Sequence, residues 1–141
     1  MNYYLIDFEN VTSNDLMRVK DIKKNSTVIL FYTKAKTQLN LDFIHMLHKN
    51  KVQLRTQKVI NGTKNALDFQ LSTFLGWTLK DCDAADNFFI VAKDKGYDCV
   101  VNYWHTRNKK IYRIAPPASS SQASPKQKKI AVKKTNLKHQ L

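Results

Sequence analysis

Only three glycines occur among 141 residues, Gly62, Gly76 and Gly96, and no two stand five apart. They cannot build a GxxxxGK[ST] phosphate loop, which excludes a P-loop nucleotide hydrolase. Cysteine is as scarce: Cys82 and Cys99 fit no CxxC or Cys/His zinc spacing and read as reduced thiols. His45 and His48 lie three apart in a helical stretch, but no second ligand pair accompanies them, so they read as surface side chains. No apolar run approaches the roughly 20 residues of a bilayer span. The N-terminus also lacks the charged-then-apolar layout of a secretory signal, and the cytoplasm is the expected compartment. The last scarcity is acid: 11 Asp and Glu stand against 24 Lys and Arg, for a formal charge of +13. Such an excess argues for a polyanionic partner, nucleic acid ahead of an anionic membrane.

What remains is ordinary globular material, long enough for one sizeable core. Strand-like runs at 3–8 (YYLIDF), 27–33 (TVILFYT), 52–58 (VQLRTQK), 87–92 (NFFIVA) and 111–115 (IYRIA) alternate with helical stretches near 13–24, 39–50, 65–81 and 97–107. The first, second and fourth runs are almost continuously apolar, as strands buried on both faces of a parallel sheet should be. TSND at 12–15 has the form of a capping box, with Thr12 as N-cap and Asp15 three residues on. Strict alternation implies an α/β sandwich with right-handed crossovers. From Pro116 the composition changes: residues 116–141 hold six lysines and no acid, and are expected to form a flexible basic tail. Residues 1–115 then carry 18 basic and 11 acidic groups, so the folded domain is basic in its own right.

Against that background the end of the first strand is odd, because LIDFEN sets Asp7, Glu9 and Asn10 together. In a doubly wound sheet, ligands bind outside the carboxyl ends of the strands, where strand order reverses. If strands 1, 2 and 3 wind one way and 4 and 5 the other, that crevice lies between strands 1 and 4. KDKGYD follows strand 4 and delivers Asp94 and Asp98 to the same edge, with Gly96 turning the loop and Asp98 in the next helix's first turn. The fifth acid is Asp68, in KNALDFQLSTFLGWTL. There Leu67, Leu71, Phe74, Leu75 and Leu79 form one apolar arc, and Asp68 falls inside it. A carboxylate on a buried stripe is costly unless something pairs with it. Singly, Asp68 reads equally well as a lysine's partner and Asp98 as a helix cap.

Jointly they point to a cation. Clustered carboxylates raise one another's pKa unless positive charge sits among them, and oxygen-only ligands favour Mg²⁺ or Mn²⁺ over zinc. Such an ion orients and acidifies a water and neutralises charge on a phosphodiester. Asp81, Asp83 and Asp86 fall in a polar loop at the opposite end and lack the glycine and final Glu of an EF-hand, so they read as solvated. Lys34 and Lys36 after strand 2, Lys58 and Lys64 after strand 3, and Lys93 and Lys95 around Asp94 are expected on the acids' own rim. Lys126, Lys128 and Lys129 would extend that nucleic-acid surface into the tail. Taken one by one, each lysine is ordinary solubility charge.

The segments LIDFEN, KNALDFQL and VAKDKGYD together resemble the PIN-like nuclease superfamily, particularly its NYN-type and related bacterial branches, over roughly residues 3–115. The resemblance implies an α/β three-layer sandwich with a five-stranded parallel sheet in the order 3-2-1-4-5. It also implies a Mg²⁺- or Mn²⁺-dependent nuclease acting mostly on RNA. Catalytic and metal-binding roles would carry over onto Asp7, Asp68, Asp94 and Asp98, supported by Glu9 and Asn10. Ala92 departs from the pattern, since a small hydroxyl residue is expected just before KDKGYD. The Lys-rich tail lies outside the pattern altogether.

Two other readings compete. DFE imitates the strand-1 DxD of a haloacid-dehalogenase-type phosphatase, although Glu9 stands where that mechanism wants a second Asp. A non-catalytic RNA- or DNA-binding module could rely on the basic rim and tail, but four carboxylates in a phosphate groove would repel its ligand. Phe69 and Trp77 also lie off the third helix's buried arc, with Thr73 and Gly76 between them. That second face predicts a symmetric homodimer, with Gly76 allowing close approach; the alternative is cover from a neighbouring helix of the same domain.

Overall fold

The computed structural model describes residues 1–118. The chain runs β1 (Asn2–Asp7), α1 (Ser13–Met17), β2 (Thr27–Tyr32), α2 (Leu41–Lys49), β3 (Gln53–Lys58), α3 (Ala66–Lys80), β4 (Asn87–Val91), α4 (Tyr97–His105) and β5 (Ile111–Ile114). The strands pair in parallel in the order β3-β2-β1-β4-β5, so the reversal falls between β1 and β4 as the sequence implied. The edge strand β3 reads QLRTQK and is largely exposed, a polar rim that discourages pairing with another sheet.

Alternation along β1 builds two cores. Tyr4, Ile6 and Phe8 pack with Leu16, Val19 and Ile22 around α1 and with Phe43 and Leu47 of α2. Leu5 packs on the other side with the α3 leucines 67, 71, 75 and 79, and with Tyr97 and Val101 of α4. Two helices on each face make the three layers. By the two-residue period, Asp7 follows Leu5 toward α3 and α4.

Two local features differ from expectation. The capping box of Thr12 and Asp15 forms, but α1 stops at Met17 rather than continuing to residue 24. The buried Tyr4 hydroxyl donates to the Asp21 carbonyl at 2.6 Å and accepts from the Lys23 amide at 3.1 Å, which satisfies an irregular turn there. That turn keeps Val19 and Ile22 in the core. Gly76 does not face outward: a Cβ added to it would lie 3.2 Å from the Trp104 ring. The missing side chain therefore lets α4 settle against α3 within one molecule, rather than admitting a second copy. Phe69 and Trp77 stay 70% and 73% exposed, so among the described residues no neighbouring helix covers them.

Scarcity of glycine also has a visible remedy. Among the described residues, those with positive φ are Asn25, Asn61, Asn65, Asn108 and Lys51. Asparagine tolerates the left-handed region through its short polar side chain, and it fills all these positions but one. Among the described residues, no helix is long and apolar enough to cross a membrane.

Candidate functional site

Asp7 ends β1 with no solvent exposure at all. Its Oδ1 accepts from the Glu9 amide at 3.1 Å, so the chain's turn out of the strand clamps one side of the carboxylate. Its Oδ2 accepts from the Tyr97 hydroxyl, also at 3.1 Å. That hydroxyl lies 3.1 Å from Asp68 Oδ1 as well, so a single proton is shared between two carboxylates. The convergence follows from the fold. Asp7 points to the α3–α4 face, Asp68 sits in the first turn of α3, and Tyr97 opens α4.

The electrostatics match. Burial pushes the Asp7 carboxyl above its ordinary value; the Glu9 amide and Tyr97 hydroxyl work against this, and the charges of Asp68 and Glu9 add to it. Burial likewise raises the Tyr97 phenol far above its usual range, helped by the charges of Asp7 and Asp68, so it stays a donor. Among the described residues, neither Asp7 nor Asp68 has an ion-pair partner.

Asp94 is exposed on the same edge, and its Oδ1 accepts from the Gly96 amide at 2.8 Å, which shapes the loop. Asp98 is held differently. Arg113 of β5 donates from Nε to its Oδ1 at 2.7 Å, and from a terminal nitrogen to the Ala92 carbonyl at 3.1 Å. The Arg113 hydrogen bond holds the Asp98 carboxyl below its usual range. Asp98 thus ties α4 to β5. Glu9 and Asn10 are exposed beyond the strand end. Among the described residues, no three His, Cys, Asp or Glu side chains are gathered closely enough to cage an ion.

The lysines divide. Lys34, Lys58, Lys64 and Lys95 are exposed. Lys93 pairs with Asp15 at 2.9 Å. Burial opposes ionisation of Asp15, yet the Thr12 amide and Lys93 together hold its carboxyl below the ordinary range. Lys36 donates to the Val11 carbonyl at 2.8 Å and lies 4.5 Å from the Phe8 ring centre. Burial lowers its pKa, although the charges of Asp15 and Asp7 resist this. Lys126, Lys128 and Lys129 lie outside the described residues.

Among the described residues, a cavity opens at this edge on each face of the sheet. One of about 250 Å³ is lined by Phe8, Tyr32, Lys36, Leu39 and Lys58. The other, about 280 Å³, lies between α3 and α4 beside Asp68 and Asp94. A larger cavity of about 440 Å³ sits at the opposite end, between Tyr3, Trp77 and the Asp81–Asp86 loop, away from the acid pair. In that loop Asp86 receives the N-terminal amine and the Asp83 amide, which suits a solvated turn.

Sequence reasoning missed Tyr97 and Arg113. A tyrosine directly after the loop glycine, and an arginine inside the apolar run IYRIA, were the available signals.

A parallel sheet that gathers carboxylates where β1 meets β4 defines an α/β protein built to act at its switch point. A family model of the PIN domain matches residues 1–114, and the chain belongs to that family. The match is to the PIN domain as a whole and does not specify the NYN branch. PIN domains are in general nucleases that use divalent metals such as Mg²⁺ or Mn²⁺. No curated protein and no solved structure matches the chain.

Proposed function

We propose that this chain is a Mg²⁺- or Mn²⁺-dependent ribonuclease of the cytoplasm that hydrolyses phosphodiester bonds at Asp7, Asp68, Asp94 and Asp98. One observation carries the reading: a fully buried carboxylate, Asp7, is held beside a second, Asp68, with no ion-pair partner among the described residues. A desolvated anion with a second, half-buried one beside it calls for a cation, and hard carboxylate oxygens suit Mg²⁺ or Mn²⁺.

When bound, such an ion supplies an acidified water and positive charge against the phosphodiester. The chain's own residues supply the frame. Tyr97 keeps its proton and holds Asp7 Oδ2 and Asp68 Oδ1 in fixed relation. The Glu9 amide fixes the other Asp7 oxygen. Asp94 is the exposed acid, the one able to turn from its loop toward an incoming substrate. Asp98 contributes after release from Arg113, and Asn10 lies at the exit of β1 as a polar support. Lys34, Lys58, Lys64 and Lys95, with the tail lysines, offer charge to an RNA backbone.

Family membership favours this reading over the haloacid-dehalogenase-type phosphatase. The buried Asp7 carboxylate, without an ion-pair partner among the described residues, favours it over a purely binding module. The test is cleavage of a labelled single-stranded RNA in Mg²⁺ or Mn²⁺ by wild type, Asp7→Asn and Asp94→Asn. Both variants should lose activity while keeping the fold, because the amide preserves shape and removes the ligand charge. Wild-type cleavage by either one overturns the assignment.

Self-association belongs to the same proposal. Trp77, 73% exposed on α3, is the observation that favours a symmetric dimer.

A further inference from the structure

Phe69 directly follows Asp68 on α3, and its ring lies largely in water while Leu67 and Leu71 beside it are buried. The ring has a place in the architecture. It forms a wall of the 280 Å³ cavity whose other sides are Ser72 of α3 and Gly96, Tyr97, Cys99 and Val100 of the α4 start. Asp68 and Asp94 stand at the rim, so this apolar space opens directly beside the acids.

We infer that the cavity is a nucleobase subsite: the base next to the scissile phosphate enters between α3 and α4 and stacks on Phe69. The inference rests on the ribonuclease reading and names where the substrate's base goes. Charge selects which part of a nucleotide enters. Apolar walls would strip water from a charged phosphate at high cost, so the phosphates stay outside, on the edge that carries Lys64 and Lys95. The uncharged, flat base is the part that matches apolar walls and an exposed aromatic face. Ser72 adds a hydroxyl at the wall able to meet a base's polar edge. Stacking tolerates any base, so the subsite sets position rather than sequence.

Full-length protein carrying Asp7→Asn, expected not to cleave, allows binding to be measured alone. Adding Phe69→Ala should weaken binding of a short single-stranded RNA about tenfold, whereas Phe69→Trp should keep it. An RNA with one abasic position should bind the parent more weakly by a similar factor, and Phe69→Ala should erase that difference. The RNA should also protect Cys99, on the cavity wall, from alkylation by iodoacetamide, and inorganic phosphate should not. Unchanged affinity in Phe69→Ala, or abasic discrimination that survives it, overturns the subsite. So does sedimentation showing that Phe69→Ala dissociates a dimer, which would make the patch a contact between copies. Wild type that binds with this Phe69 dependence yet never cleaves in Mn²⁺ would sink the nuclease reading and leave the base stack standing.

Discussion

At the scale of single residues, the acid pair stabilises function at the fold's expense. The folded-state pKa of Asp7 lies above its unfolded value, chiefly through burial, so the folded protein binds more protons between those two values. Metal-free stability should therefore fall as pH rises from about 4 through the folded pKa of Asp7, and level off above it. Asp15 and Asp98 have the opposite sign: their pKa values are lowered, and their stabilisation is lost only as pH falls below the ordinary carboxylate range. The two windows do not overlap, and Asp7→Asn removes one of them. In chelator at neutral pH that variant should melt above wild type, at about 4 °C per kcal/mol regained, with the gap closing toward pH 4. Thermal melts from pH 4 to 7 check this, and a wild type that melts higher than Asp7→Asn at pH 7 would refute the uncompensated charge. Activity should rank the acids as well. Asp98→Asn should retain at least ten times the residual cleavage of Asp7→Asn, because Asp98 is engaged by Arg113 outside the pair.

At the scale of elements, much of the fold was legible because its cause is periodic. Apolar runs gave β1, β2 and β4, and the arc on α3 gave both its buried leucines and the misplaced Asp68. Legibility ended where long-range partners decide. Tyr97 reads locally as an ordinary helix-start aromatic, and only the meeting of β1, α3 and α4 gives its hydroxyl two carboxylates. Arg113 and Asp98 are 15 residues apart, and nothing local pairs them. The early end of α1 depends on a hydroxyl from β1, which no helix pattern contains. The end of α2 depends on purely local geometry, and there a test is clean. Lys51 takes φ 55° just after the helix, where its amide donates to the His48 carbonyl at 3.1 Å. A left-handed lysine costs about 1 kcal/mol, partly offset by the greater chain entropy glycine brings to the unfolded state. Lys51→Gly should then raise stability by roughly 0.5 kcal/mol in urea unfolding without altering cleavage. A loss of stability would show that the Lys51 side chain contributes more than its backbone strain costs.

At the scale of the whole molecule, charge and exposed aromatics decide how copies and substrate meet. Arg18 donates to the Pro117 carbonyl at 3.0 Å and pairs with Asp15, which holds Lys93, so the chain leaves its last described residues beside the acid edge. Deleting residues 117–141 removes six lysines and no acid. Each lysine that contacts phosphate contributes roughly 0.7 to the salt slope on single-stranded RNA, so truncation should weaken binding and flatten the slope by up to about 4. An unchanged slope would assign the tail another purpose. The dimer is the sharper question, because the two aromatics that suggested it have parted company. Phe69 and Trp77 are eight residues apart, about 12 Å along α3. Phe69 walls the cavity at the acid edge, and Trp77 lines the larger one at the opposite end. A dimer formed through Trp77 therefore leaves the proposed base subsite open. Related by a two-fold axis, the two α3 helices would bury the indoles against each other and set two basic edges in one particle. Trp77→Glu should then yield a folded monomer with intact cleavage of short RNA and weaker binding of long RNA, which alone can span both edges. Sedimentation of the wild type at tens of micromolar is decisive: a mass fixed at 16.4 kDa whatever the concentration leaves Trp77 without a partner copy.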